Sequence, residues 1–130
     1  MWRACGNYLA TKWNLRKKKC KDSTVCGICE KEKESVEHVL LQCDWTLVVW
    51  YGLNVGYRVD RQRITTLDKW IKEVFGMVEK GSEGRRLLLM TVTMACWQIW
   101  KERCNKVFKR NKVDPKRCIR RINRVVEELL

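Results

Sequence analysis

Three cysteines and the one histidine of the chain form a pattern that constrains its folding more than any other feature. Cys26 and Cys29 are followed by His38 and Cys43, which gives the spacing C-x2-C-x8-H-x4-C. Cysteines separated by two residues can turn both sulfurs toward one point, and eight residues let the chain return there. Three thiolates and an imidazole complete the tetrahedral ligand set of structural zinc. We therefore predict a closed zinc site with no open position for a substrate water.

These cysteines allow two interpretations other than a metal site. A buried cysteine often acts as a small apolar side chain, and a C-x-x-C pair also occurs as a redox pair. The position of His38 between that pair and Cys43 favours the metal. Residues 22–50 are too few to build a core, so zinc would supply their folding energy. The other cysteines are scattered, and we expect Cys96 to lie in the core.

The N-terminal half otherwise carries short helical signals. Ser35 is a predicted N-cap for a helix through Leu41, and Asp44 is a predicted N-cap for the next helix. Leu47, Val48 and Tyr51 are predicted to share one face of that second helix, with Trp50 beside them. Residues 22–29 are compatible with a short β-hairpin at the C-x-x-C pair.

The C-terminal half predicts longer helices. Thr66 caps an amphipathic helix, a second helix runs from Arg85 to about Lys109, and Asp114-Pro115 begins the last. The inward residues of the first are predicted to be Leu67, Trp70, Ile71, Val74, Phe75 and Val78. The fold class is thus mainly α, a small helical domain with a zinc-stabilised Cys3His N-terminal half. We expect a zinc-binding part over 1–53 and a helical basic part over 54–130.

Basic residues exceed acidic ones strongly and lie at the two ends. The chain has 28 Lys and Arg against 15 Asp and Glu, a net charge of +13, with +6 in residues 1–25 and +7 in residues 101–130. Such a surplus implies an anionic partner, or descent from a protein that had one. The partner we expect is RNA or DNA, held by phosphate contacts. The alternatives are a nuclear import signal or a solvated loop for the first cluster, and an ordinary polar helix face for the second. The predicted nucleic-acid-binding residues are Arg16, Lys17, Lys18, Lys19, Arg117, Arg120, Arg121 and Arg124.

Seven tryptophans are a high count for 130 residues. Trp70, Trp97 and Trp100 fall on apolar faces and are predicted to lie in the core, because aromatic side chains dominate core burial. Trp13 lies beside the basic run and is the best candidate for stacking on an unpaired base.

Catalysis, secretion and membrane insertion are not indicated. The densest acidic group, Glu30, Glu32, Glu34 and Glu37, alternates with lysines on a segment expected to be exposed, and no histidine remains as a base. No export signal opens the chain, and its longest nearly apolar run is shorter than the about 20 residues of a bilayer span. We expect a nuclear or cytoplasmic location and no enzyme activity.

The motifs together resemble the zinc-binding domain of plant non-LTR retrotransposon reverse transcriptases. The residues that carry this resemblance are Leu9-Ala10-Thr11, Asn14-Leu15-Arg16-Lys17, Cys26, Cys29, Glu34-Ser35, His38-Val39-Leu40, Cys43 and Trp50. Residues 97–103 and 105–108 are similar to the segment that follows this domain in such elements. Ala10 stands where that family has proline, and Cys104 interrupts the second motif.

The resemblance implies a structural zinc-binding module with zinc as its cofactor. The ligand roles carry over to the four Cys and His residues of the spacing pattern. The polymerase and ribonuclease H domains of the parent element do not fit in 130 residues, which agrees with the expected lack of catalysis. We predict nonspecific nucleic-acid binding through the basic segments. The alternative is an adaptor that contacts a protein through the apolar faces of residues 67–78 and the last helix.

Overall fold

The structure of the chain is a computed structural model that describes residues 9–17, 24–53, 66–76, 79–109 and 112–129. Its helices are α1 (Lys12–Lys17), α2 (Asp44–Gly52), α3 (Leu67–Gly76), α4 (Glu83–Lys109) and α5 (Pro115–Leu129), with a π-helical turn over His38–Gln42. The predicted mainly helical class is confirmed. None of the described helices is both long and apolar enough to cross a membrane.

The predicted helix starts follow from local hydrogen bonds. The side chains of Ser35, Thr66 and Asp114 each accept a hydrogen bond from the backbone N–H three residues later, at 3.1–3.2 Å. Such bonds satisfy amides that have no partner inside a helix. The prediction for Asp44 was off by one residue, because α2 begins at Asp44 and Cys43 occupies its N-cap position.

The apolar face predicted for α2 does not match its buried side, although Trp50 beside that face is buried. Val48 and Tyr51 are exposed, whereas Trp45, Val49 and Trp50 are buried. The helix is apolar almost all the way around, so its periodicity marks no unique inward face. The inward face is decided by packing, mainly against the π-helical turn and α5.

One hydrophobic cluster joins both halves of the chain. Helix α5 packs along α4 and against α2, and the π-helical turn packs against α4. The two metal-site cysteines Cys26 and Cys43 therefore share a core with Val92, Ile99 and Ile122. Burial of the zinc-binding segment thus depends on helices from beyond residue 53.

Helix α3 joins this cluster as the sequence predicts. Leu67, Trp70 and Val74 are buried, and Trp70 meets Trp50 edge-on with ring centroids 5.4 Å apart. Val78 lies outside the described residues. The carboxylate of Glu37 accepts the N–H of Leu67 at 3.3 Å, which ties the start of α3 to the segment that bears the metal-site histidine.

The prediction for the C-terminal tryptophans was only partly right. Trp100 packs against the core, but Trp97 is 56% exposed, so its predicted burial is wrong. The run from Leu87 to Trp100 is nearly continuous in apolar residues, and its sequence does not mark which side faces inward. In the folded chain the side of the helix that carries Ala95 and Ile99 faces the core, and Trp97 points away from that side.

Gly52 permits the close approach of α2 and α5. A Cβ atom at this position would lie 2.5 Å from Cδ1 of Ile119, closer than two carbon atoms can approach. We expect Gly52→Ala to lower the free energy of unfolding by about 1–2 kcal/mol, since crowding outweighs the gain in helix propensity. Urea denaturation checks this, and adding Ile119→Val, which removes Cδ1, should restore most of the loss. A Gly52→Ala chain as stable as the parent would contradict the close contact.

Candidate metal centre

The segment around the cysteine pair is closed by backbone hydrogen bonds. The N–H of Cys26 donates to the carbonyl of Glu32 at 2.8 Å, and the N–H of Glu34 donates to that of Thr24 at 2.7 Å. Val25 and Lys33 form an isolated antiparallel bridge. The described residues thus show a bridged loop at the pair, and the hairpin considered for residues 22–29 is not shown.

The turn at the cysteine pair contains a residue with a left-handed backbone conformation, directly after the second cysteine. The N–H of Glu30 donates to the carbonyl of Cys26 at 2.9 Å, and Glu30 has a φ of 59°. A non-glycine residue seldom adopts this left-handed conformation. Gly27, the obvious candidate for a tight turn, is not among the positive-φ residues in the described part of the chain. The turn therefore relies on a glutamate in the left-handed region.

The π-helical turn brings the second pair of ligands together. The N–H of Cys43 donates to the carbonyl of His38, five residues back, at 2.8 Å. In a regular α-helix two residues five apart would point about 140° away from each other. A π turn holds more residues, so His38 and Cys43 lie closer to one face. The four-residue gap of the sequence pattern is thus matched by a wide turn.

Side chains of α2 stabilise this wide turn. The Thr46 hydroxyl donates to the Val39 carbonyl at 2.8 Å, and the Trp50 indole N–H donates to the Leu40 carbonyl at 2.7 Å. All four residues are buried, where an unpaired carbonyl would be costly. Residues after the last ligand therefore help to shape the site.

The four candidate ligands form one cluster. The sulfur atoms of Cys26, Cys29 and Cys43 and the ring nitrogen of His38 all lie within 4.8 Å of one another. The distance from Nε2 of His38 to Sγ of Cys29 is 3.3 Å. Tetrahedral zinc, with its usual bond lengths, separates such ligand atoms by about 3.5–3.8 Å. The donor set and its spacing fit a zinc ion bound by four protein ligands.

The cluster also shifts the acidities of its members. A hydrogen bond from the Cys43 thiol lowers the pKa of Cys26 well below that of a free thiol, although burial opposes this. The same hydrogen bond and burial raise the pKa of Cys43. Burial disfavours a charged His38, but the bond to Cys26 and its negative charge outweigh this and raise the histidine pKa. The lone pairs of the three sulfur atoms and of the histidine nitrogen thus lie close together at one buried point, where a bound cation would stabilise them.

Comparison with known families agrees with this geometry. Residues 1–50 match the family model described as zinc-binding in reverse transcriptase. This range contains the whole ligand pattern, and the match together with the cluster points to zinc as the cofactor. No polymerase or ribonuclease H domain is detected. No curated protein and no solved structure matches the chain significantly.

A buried ion pair connects the zinc loop with α4. The carboxylate of Glu34 accepts two hydrogen bonds from Arg103, one of them from Nε at 3.2 Å, and a third from the Lys12 amide at 2.9 Å. Both charged side chains are almost fully buried. The Arg103 guanidinium also lies 4.7 Å from the centre of the Trp100 ring. One carboxylate thus joins the loop to the start of α1 and to α4.

This pair corrects the expectation that the acidic group is exposed. Glu30 and Glu32 are exposed, but Glu34 is buried and Glu37 is half-buried. Lys33 points outward in the bridged loop, so the adjacent Glu34 points inward, as alternate residues of an extended segment do. Position 103 falls on the same face of α4 as Ile99 and Cys96, and this spacing is the signal that sequence reasoning missed.

The predicted basic residues are in different surroundings. Arg16 and Lys17 belong to α1, but their side chains, like all of Lys18 and Lys19, lie outside what the structure describes. Arg117 binds the buried carboxylate of Glu102, with Nη2 to Oε2 at 2.9 Å. The exposed arginines of α5 are Arg120, Arg121 and Arg124, and Lys116 in its first turn is exposed as well.

Proposed function

We propose that the chain is a zinc-folded nucleic-acid-binding module from a plant non-LTR retrotransposon. The zinc site holds the N-terminal part, residues 1–53, and the helical part, residues 54–130, presents cations to the phosphate backbone of RNA or DNA. The observation that carries the proposal is the net charge of +13 together with the exposed arginines of α5. A complete Cys3His set offers no open coordination position, so the proposal includes no catalytic step.

The basic stripe of α5, defined as Arg120, Arg121 and Arg124, supports phosphate contacts. Arg120 and Arg121 are exposed, and Arg124 pairs with Glu128 in the same helix at a nitrogen–oxygen distance of 3.4 Å. Exposed pairs of this kind contribute little. Phosphates can therefore replace Glu128 at small cost.

The adaptor alternative has less support. The apolar residues of α3 and α5 that would contact a protein are packed inside the chain, among them Trp70, Ile122 and Val126. Their burial leaves the charged face of α5 as its accessible surface, so an anionic polymer suits it better than an apolar partner.

Binding to nucleic acid should weaken steeply with salt. We expect the full zinc-loaded chain to bind a labelled RNA of about 20 nucleotides at about 50 mM salt and to lose most affinity at about 300 mM, because each neutralised phosphate releases counterions. Replacing all three arginines of the α5 stripe by glutamine should reduce the slope of log K against log salt by about 2–3. Fluorescence anisotropy measures both.

A matched control removes the same charge elsewhere. Glutamine at Lys69, Lys72 and Lys80, which are exposed on α3 and the turn after it, should change the slope by less than the α5 variant does. Equal effects of the two triple variants would mean that the α5 stripe is not the contact. Absence of binding by the unmodified chain would reject the function.

A further inference from the structure

The outward face of α4 carries two large aromatic side chains. Trp97 is 56% exposed and Phe108 is 74% exposed. Eleven residues make three helical turns and about 20° more, so both residues lie on one side of the helix, about 16 Å apart along its axis. Each ring presents a flat apolar surface to solvent, which is the kind of surface on which an unpaired base can stack.

A cation accompanies the first aromatic ring. The Lys101 ammonium, one turn beyond Trp97, lies 5.8 Å from the centre of the indole ring. Lys101 is exposed, so the contact is made at the surface. An aromatic plane beside an ammonium group offers a stacking surface for a base and a charge for its phosphate.

The charge around this face is one-sided. Residues 85–109 contain six basic side chains and one acid. Of the six, Arg103 is buried in its pair with Glu34, which leaves five basic side chains that are exposed or partly exposed. That acid, Glu102, is buried and bound to Arg117. A negatively charged occupant therefore meets no exposed acid over this stretch. A partner that only covered the two aromatic rings would not need to be negatively charged. Complementary charge favours a polyanion that also has flat apolar groups.

We propose that the outward face of α4, defined by Trp97, Lys101 and Phe108, binds single-stranded nucleic acid by stacking on unpaired bases. The proposal rests on the proposed function and adds to it a preference for single strands. Stacking requires bases whose faces are accessible, and those of a duplex are not. The spacing of the rings corresponds to about five stacked nucleotides at about 3.4 Å each. Lys101 supplies the phosphate contact between them.

The test compares two forms of nucleic acid with variants of exposed residues. Trp97→Ala in the full zinc-loaded chain should weaken binding to an oligouridylate of about 20 nucleotides by about 5- to 150-fold. Its affinity for a duplex of the same length should change less than about twofold. Trp97→Phe should retain most single-strand binding, and Phe108→Ala should weaken it. Leu89→Ala, an exposed apolar change in the same helix, is the matched control and should have no effect.

A covalent readout locates the contact directly. Ultraviolet irradiation with a bromouridine oligonucleotide should crosslink the peptide that contains Trp97, as mass spectrometry would show. Trp97→Leu should abolish this crosslink. Unchanged melting temperature and zinc content of Trp97→Ala would exclude unfolding as the cause of weaker binding.

Three failures are distinguishable. If the unmodified chain binds no nucleic acid, the proposed function itself fails. If it binds single strands and duplexes alike, and Trp97→Ala and Phe108→Ala change neither, the aromatic face is not the site while the function stands. If Trp97→Ala instead converts a self-associated chain to monomers without changing nucleic-acid affinity, the face is a contact between copies and the inference is overturned.

Discussion

Removing zinc with a strong chelator should unfold the whole described core and not only the loop that holds the ligands. Cys26, His38 and Cys43 are buried, and the cysteines share one cluster with Ile99 and Ile122. Apparent binding energies of structural zinc are about 10–16 kcal/mol, whereas a domain of this size is stable by about 5–15 kcal/mol. The free energy of zinc binding is thus as large as the free energy of unfolding of a whole domain of this size. Far-UV circular dichroism and thermal melting with and without chelator measure the loss.

Substitutions separate the ligands from the other cysteines. His38→Ala should reduce the metal content from one zinc per chain to none in native mass spectrometry and should lower helicity. Cys104→Ser is the matched control, since Cys104 is half-buried and lies outside the ligand cluster, and it should keep its zinc. An apo chain that retains its helicity and a cooperative melt would show that the helical core does not need the metal.

Arg103→Met should produce the second largest effect, a loss of about 3–5 kcal/mol in the free energy of unfolding. It would leave the Glu34 carboxylate charged, buried and without its guanidinium partner, which costs far more than losing an exposed pair. Arg103→Lys should be intermediate, because an ammonium group cannot reproduce the two-point contact. Urea denaturation at a fixed excess of zinc gives the values.

A double variant identifies the pair as the cause. Glu34→Gln with Arg103→Met should cost less than the two single changes added together, since neither charge is then left alone. Arg121→Met, which removes an exposed arginine from α5, should stay within about 0.5 kcal/mol of the parent. Additive losses in the double variant would mean that the two side chains act independently.

Loss of the Glu34–Arg103 pair should also lower the affinity for zinc. Glu34 ends the bridged loop that holds Cys26, through its backbone bond to Thr24, and its carboxylate fixes that loop to α4. A mispositioned loop has to be ordered when the metal binds, so Arg103→Met should also weaken zinc binding. A residue of a distant helix is therefore expected to affect the metal site.

Local interactions could be predicted from the sequence because they involve neighbours along the chain. The caps at Ser35, Thr66 and Asp114 each need only a side-chain oxygen and an amide three residues away. The cysteine pair, the histidine and the last cysteine were predicted as one set, and the structure brings them within ligand distance of one another. A short spacing limits the conformations that can satisfy four bonds to one ion, so the sequence pattern carries the site.

Tertiary packing alone decided which faces point inward and which charges pair. The sequences of α2 and of the first half of α4 are apolar on nearly all sides, so many orientations bury similar area. The choice that exposes Trp97 and Tyr51 comes from the helices they pack against. Glu34 and Arg103 are 69 residues apart, and no local rule relates them. A buried charge needs a partner that only the folded chain brings close, and here that partner joins the zinc loop to the long helix.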